Sequence, residues 1–182
     1  MTARMDRALQ HLHTLKACDI SFFERDLLSH LTGTADVLHS WNADEDLVLA
    51  GLFHAVYLTE FFACNEPHHE NRLNIQNIIG TISEEIVYSY CVMDRRSYIS
   101  ATEPQFFDNY RKVTVPVCKE LDRHLVELLW ANAFEQLQRD TPPFETRRAM
   151  RGMFDQSRGR VSQSALGSLS RLYEPVTDGS KT

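Results

Sequence analysis

Two histidines fall on the apolar stripes of predicted helices, and this pattern constrains the fold more than any other feature of the chain. The first stripe repeats at spacings of three and four, the period of one helical face, and comprises Phe23, Leu27, His30, Thr34, Val37 and Trp41. The second stripe comprises Leu47, Ala50, Gly51, His54 and Leu58. Burying a polar side chain without a partner is costly. Both imidazoles are therefore expected to find partners inside a helical bundle.

Helical periodicity continues along most of the chain, and no run of alternating strand character stands out. The 182 residues include only 7 glycines and 6 prolines, which favours long uninterrupted helices. The sequence therefore predicts an all-α protein. We predict a helical core over residues 1–140, a helical extension of the same domain over 141–173 and a flexible tail over 174–182. Ser21 with Glu24 is a candidate capping box for the first histidine-bearing helix.

Composition and charge narrow the classes of function. A net charge of −6 argues against general affinity for nucleic acid or anionic membranes. No stretch approaches the length of about 18 apolar residues that a membrane-spanning helix needs. The N-terminus has no apolar signal-peptide core, and the four cysteines show no paired spacing. These features predict a cytoplasmic protein with no nucleic-acid or membrane partner.

Two further polar residues lie on the apolar stripes of later predicted helices. Asp94 follows the stripe Ile86, Val87, Tyr90 and Cys91, and Asn132 follows Leu121, Leu125 and Leu128. Helical bundles commonly build their sites from inward-facing side chains of this kind. Together with the two histidines, Asp94 and Asn132 could therefore form one polar pocket. The alternative is that each residue only bonds a neighbour, and Asp94 could pair with an arginine such as Arg95.

Other candidates follow from their spacing to the histidines. Thr34 lies one turn after His30, and Tyr57 lies about one turn after His54, so both lean toward the same pocket. Glu60 is the nearest carboxylate in sequence, placed either at the pocket mouth or at a solvated helix end.

Residues 49–55 with His30 resemble the signature of the HD superfamily of metal-dependent phosphohydrolases. In that family one helix gives a histidine, a later helix gives a His-Asp pair and a distant helix gives a final aspartate. The resemblance covers roughly residues 25–137 and extends to Gly33-Thr34 and to the run 50–60. It implies an HD-like helical bundle. The motif is closest to an uncharacterised HD-like family with a degenerate His-Asp pair.

The chain departs from the HD pattern at both aspartates. Ala55 stands at the position of the paired aspartate, and Asn132 stands at that of the final one. Two imidazoles and one amide give no negative charge to hold Mn²⁺ or Mg²⁺ tightly. We therefore expect no cofactor. A weakly bound divalent transition metal is left as an alternative, held by His30, His54 and Asp94 in a two-histidine, one-carboxylate set that suits Fe(II).

The sequence thus favours an enzyme that acts on a small polar metabolite by histidine-based acid–base chemistry, since an imidazole titrates near neutral pH. The predicted catalytic residues are His54, His30 and Tyr57. The predicted substrate-binding residues are Thr34, Thr59, Glu60, Asn132, Asp94 and Arg95. The alternatives are a non-catalytic small-molecule-binding or regulatory module, and an iron-dependent oxygenase or residual phosphohydrolase. The basic segment after Pro143 is either a solvated helix, a cover for the pocket or a homodimer contact.

Overall fold

The structure is a computed structural model that describes residues 2–15, 17–22, 25–57, 69–99, 103–139 and 142–173. Within these ranges the chain forms helices α1 to α9, which confirms the predicted all-α class. In chain order they are Ala3–Thr14, Leu27–Ser40, Glu45–Phe53, His69–Ile79, Thr81–Val92, Arg95–Ile99, Lys119–Leu137, Phe144–Ser157 and Gln163–Tyr173. No helix in these ranges is long and apolar enough to cross a membrane. The predicted tail over 174–182 lies outside the described residues.

Helices α2, α3, α5 and α7 form the centre of the bundle. Helix α2 packs on α3 and α7, and α5 also packs on α3 and α7. The largest fully buried side chains include Trp130, Tyr57, Tyr90 and Phe53. The two histidine-bearing helices, α2 and α3, are therefore neighbours in the core.

The start of α2 differs from the sequence prediction. Ser21 does not cap the helix but lies in strand β1 (Ser21–Phe22), which pairs antiparallel with β2 (Arg25–Asp26). Asp26 caps α2 instead, because its Oδ1 accepts a hydrogen bond from Ser29 N at 2.8 Å. Glu24, the other half of the predicted capping box, lies outside the described residues. This small hairpin brings Arg25 to the edge of the bundle core.

A second hairpin was also not predicted. Strand β3 (Gln105–Asp108) pairs with β4 (Val113–Pro116), and Phe106 and Asp108 face inward while Gln105 and Phe107 are exposed. Four residues give too short an alternation to stand out against helical periodicity. Helix α7 begins after this hairpin, at Lys119.

The C-terminal helices pack on α7. Trp130 Nε1 donates a hydrogen bond to Ser157 Oγ at 2.8 Å, and its ring meets that of Phe154 edge to face. Ser162 N donates to the buried carboxylate of Glu127. Phe154, Ala165 and Leu169 belong to the same apolar cluster as the core. Helix α8 thereby covers one side of α7.

Candidate functional site

His30 and His54 meet in the core as an imidazole pair. His30 lies in α2 and His54 follows the last residue of α3, and their exposed fractions are only 2% and 4%. Their Nε2 atoms are 3.1 Å apart, and the rings meet edge to face at 79°. The structure therefore brings together the two histidines that the apolar stripes singled out.

The hydrogen bonds define which imidazole nitrogen carries a proton. His54 Nδ1 lies 2.7 Å from the carbonyl oxygen of Gly51, which can only accept, so Nδ1 is the donor. Burial lowers the pKa of His54 to about 3, and the facing His30 contributes to that shift. His54 is thus neutral near pH 7, and its Nε2 accepts the hydrogen bond from His30 Nε2–H.

Glu135 and Arg25 extend the imidazole pair on the other side of His30. His30 Nδ1 lies 2.9 Å from Glu135 Oε2, and Arg25 bonds both carboxylate oxygens of Glu135. Burial raises the pKa of Glu135, but the hydrogen bonds with His30 and Arg25 and the positive charge of Arg25 outweigh this and lower it to about 2. We call Arg25, Glu135, His30 and His54 the buried polar chain.

Sequence reasoning missed Glu135 and Arg25, although Gly33 offered a signal. A Cβ atom built at Gly33 would lie 2.7 Å from Glu135 Oε1. A glycine inside a helix usually marks a close approach of another group. The missing side chain at position 33 makes room for the carboxylate from α7.

A cavity of about 340 Å³ lies beside the imidazole pair, between α5, α6, α7 and α8. The polar residues of its lining are Tyr90, Arg95, Asn132, Gln136 and Thr146. The apolar residues include Leu129, Ala133, Leu137, Met150 and Met153. We call this space the side cavity. Helix α8, the basic segment predicted after Pro143, covers it through its methionines.

Tyr90 separates the side cavity from the imidazole pair. Its ring packs edge-on against His54, with ring centroids 5.6 Å apart. Its hydroxyl accepts a hydrogen bond from Asn132 Nδ2 at 2.8 Å, and Gln136 Nε2 donates to Asn132 Oδ1 at 3.0 Å. The guanidinium of Arg95 lies 4.5 Å from the centre of the Tyr90 ring. Two predicted substrate-binding residues, Asn132 and Arg95, therefore line the side cavity, and both contact Tyr90. Tyr90 was not predicted as a site residue.

Three other predicted site residues have different roles in the structure. Thr34 donates to the carbonyl oxygen of His30 in its own helix. Tyr57 donates to the buried Glu84 at 2.7 Å, and burial and this carboxylate raise its pKa. Asp94 was expected on the stripe of α5, but α5 ends at Val92 and Asp94 Oδ1 accepts from Ser97 N at the start of α6. Thr59 and Glu60 lie outside the described residues.

The described residues do not fit the metal site that the sequence left as an alternative. They contain no group of three or more histidine, cysteine, aspartate or glutamate side chains that could hold a metal ion. Asp94, the carboxylate of that alternative, is instead engaged at the start of α6.

Acidification should destabilise the fold through His54. The pKa of His54 in the folded protein lies below the ordinary value of 6.5, at about 3. As the pH falls from 6.5 toward 3, only the unfolded chain therefore takes up a proton at His54. Stability from this group should therefore decrease by about 1.4 kcal/mol per pH unit.

Urea unfolding at about pH 6 and about pH 5 measures this slope while staying above the ordinary pKa of Glu135, near 4.5. We expect a flatter slope in His54→Asn and an unchanged slope in His13→Asn, which alters an exposed histidine. Equal slopes in all three proteins would contradict the assigned state of His54.

The fold and the site define an all-α bundle with a buried imidazole pair beside a small polar cavity. Residues 11–95 match the family model described as a domain of unknown function, DUF6817. The match covers somewhat less than half of the chain and includes both histidines, Tyr90 and Arg95, but not α7. No curated protein and no solved structure matches the chain significantly. The resemblance to the HD superfamily stays a prediction.

Proposed function

We propose that the protein binds a small polar organic molecule in the side cavity. The observation that carries this proposal is the row Tyr90–Asn132–Gln136, in which each side chain is fixed by a hydrogen bond before any ligand arrives. A preformed space lined by apolar side chains with a few oriented polar groups is the usual form of a small-molecule site. Its volume of about 340 Å³ suits a small metabolite.

The buried polar chain supports this role by fixing the walls of the cavity. Glu135 lies one turn after Asn132 on α7 and is tied to β2 and α2 through Arg25 and His30. These bonds hold the register of α7 against the rest of the core. The polar row on α7 is thereby held in place relative to Tyr90 on α5.

Acid–base catalysis is the second candidate function. It is favoured because Glu135, His30 and His54 follow one another as carboxylate, imidazole and imidazole. A base that is oriented by a further group is typical of catalytic proton transfer. However, both nitrogens of His54 are engaged, one by Gly51 and one by His30, and Tyr90 lies between His54 and the cavity. Binding therefore has the stronger support, and catalysis requires the imidazole pair to open.

Filling the side cavity should remove ligand binding and leave the fold intact. Ala133 lines the cavity and is only partly buried, so Ala133→Leu adds three carbon atoms into the space. A ligand present at about 100 times its Kd should raise the unfolding free energy of the natural protein by about 2.7 kcal/mol. We expect no such rise in Ala133→Leu and a retained rise in Ala133→Ser, which adds a single oxygen atom. Thermal unfolding with and without ligands from a metabolite collection measures this.

A second measurement, made with the same ligands, separates binding from catalysis. The binding role predicts that His54→Asn still binds ligand and that the ligand is recovered unchanged after incubation, as followed by proton NMR. Turnover that depends on His54 would favour the catalytic candidate. Ligand stabilisation that persists in Ala133→Leu would place binding elsewhere and overturn the proposal.

A further inference from the structure

We infer that the ligand of the side cavity carries a single carboxylate group, bound by Arg95 Nε–H and the Tyr90 hydroxyl. This inference rests on the proposed binding function and adds the charge and chemical class of the ligand. It follows from two hydrogen-bond donors on residues that line the side cavity, for which the described residues supply no acceptor.

The first donor is Arg95 Nε. Of all buried side-chain nitrogen and oxygen atoms in the described residues, Arg95 Nε is the one without a hydrogen-bond partner. Leaving a buried charged donor unpaired is costly, and the guanidinium is further restricted because it stacks over the Tyr90 ring. This nitrogen is closed off from the side cavity in the free protein, so the Arg95 side chain has to turn toward the cavity for a ligand acceptor to complete this group.

The second donor is the hydroxyl of Tyr90. This side chain is 1% exposed. Its oxygen accepts from Asn132 Nδ2, whose orientation is set because Gln136 donates to the carbonyl oxygen of the same amide. A phenol can both accept and donate one hydrogen bond. With its acceptor role taken by Asn132, the hydroxyl hydrogen is left to donate to a ligand.

The charge of the wall selects a monoanion. Among the described residues that line the side cavity, Arg95 is the charged one, and the other polar groups are neutral. One positive charge balances one carboxylate, whereas a phosphate monoester carries a charge of about −1.5 to −2 at pH 7. Arginine also matches the planar geometry of a carboxylate.

The apolar part of the lining selects an apolar body for the ligand. It comprises Leu129 and Leu137 from α7 and Met150 and Met153 from α8. Methionine side chains adapt their shape to irregular apolar groups and to rings. The ligand class is therefore a small monocarboxylic acid with an aromatic or branched alkyl body.

The inference can be tested with matched fragments and the full-length protein. Each of three bodies, benzyl, phenethyl and isobutyl, is offered as a carboxylate, a primary amide, an ammonium ion and a phosphate. Nitrogen-15 NMR follows the backbone signals of Tyr90 and Asn132 and the Nε–H signal of Arg95 as each fragment is titrated to millimolar concentration. We expect at least one carboxylate to bind at least tenfold more tightly than its amide and phosphate counterparts and to shift the Arg95 Nε–H signal.

Variants of two arginines supply the controls. Arg95→Met should weaken carboxylate binding at least tenfold, and Arg95→Lys should restore only part of it, because lysine lacks the planar fork. Arg151→Met removes one positive charge from the exposed face of α8 and does not line the cavity, so binding should be unchanged. Circular dichroism confirms that each variant is folded.

The outcomes separate this inference from the proposed function. If no fragment of any charge perturbs the cavity signals, the proposed binding function itself fails, and the inference with it. If fragments bind but amides or ammonium ions bind as tightly as carboxylates, binding stands and the carboxylate inference is overturned. Unchanged carboxylate binding in Arg95→Met would overturn it as well.

Discussion

Replacing Glu135 by glutamine should lower the free energy of unfolding by about 3–5 kcal/mol, the usual cost of removing one partner of a buried ion pair. The side chain is 2% exposed and faces both Arg25 and His30. Glutamine keeps the shape but removes the negative charge, so the Arg25 guanidinium, whose side chain is only 16% exposed, loses the carboxylate that it bonds at both oxygens. Most proteins have a total stability of about 5–15 kcal/mol, so much of the native stability would be lost.

Urea unfolding near neutral pH measures this effect. Glu120→Gln is the matched control, because it makes the same change at an exposed position of the same helix, and we expect a change within about 0.5 kcal/mol. The double variant Arg25→Met with Glu135→Met should lose less stability than Glu135→Gln alone, since it leaves no unpaired charge from this pair. A loss for Glu135→Gln no larger than that of Glu120→Gln would show that the buried polar chain contributes little to the fold.

A loss of similar size, about 3–5 kcal/mol, is expected for Glu84→Gln. Glu84 is 0% exposed, and its carboxylate accepts hydrogen bonds from Tyr57, from Arg72 at two nitrogens and from Gln76. The bond distances lie between 2.7 and 2.9 Å. A glutamine amide can accept from only one of its two terminal atoms, so it repels a donor and leaves Arg72 partly unpaired.

Neighbouring positions provide the controls for Glu84. Glu85→Gln changes the next residue, which is exposed, and should be nearly neutral. Tyr57→Phe removes one of the donors to this carboxylate and should cost about 1.5–3 kcal/mol. Guanidinium unfolding followed by circular dichroism compares the three variants. If Tyr57→Phe proved as damaging as Glu84→Gln, the stabilisation would come from the tyrosine contact and not from the whole cluster.

The sequence was most informative about residues on helical stripes. Periodicity alone placed His30 and His54 on buried faces, and the structure brings them together. It also selected Asn132, which lines the side cavity with Arg95. The common basis is that a polar residue on an apolar stripe needs a partner, and this can be recognised from spacing alone.

The residues that were missed or misplaced depend on long-range pairing or on where a helix ends. Glu135 and Arg25 are 110 residues apart, and no local pattern joins them. Asp94 was assigned to the stripe of α5, but Met93 adopts an extended conformation with ψ of 142°. The helix therefore ends at Val92, two residues before Asp94, so Asp94 does not share its face. Tyr57 fits a one-turn spacing from His54, yet its hydroxyl finds Glu84 on α5.

The distance along the chain between His30 and Glu135 also matters while the protein is being made. The two residues are 105 positions apart, and ribosomes add about 5–20 residues per second. Roughly 5–20 s therefore pass between the synthesis of the first imidazole and that of its carboxylate partner. During this interval α7 does not yet cover the inner faces of α2 and α3. The apolar residues of these faces are then exposed to chaperones and to aggregation. Helix α7, which lies beyond the region matched by the family model, completes the core that this region begins.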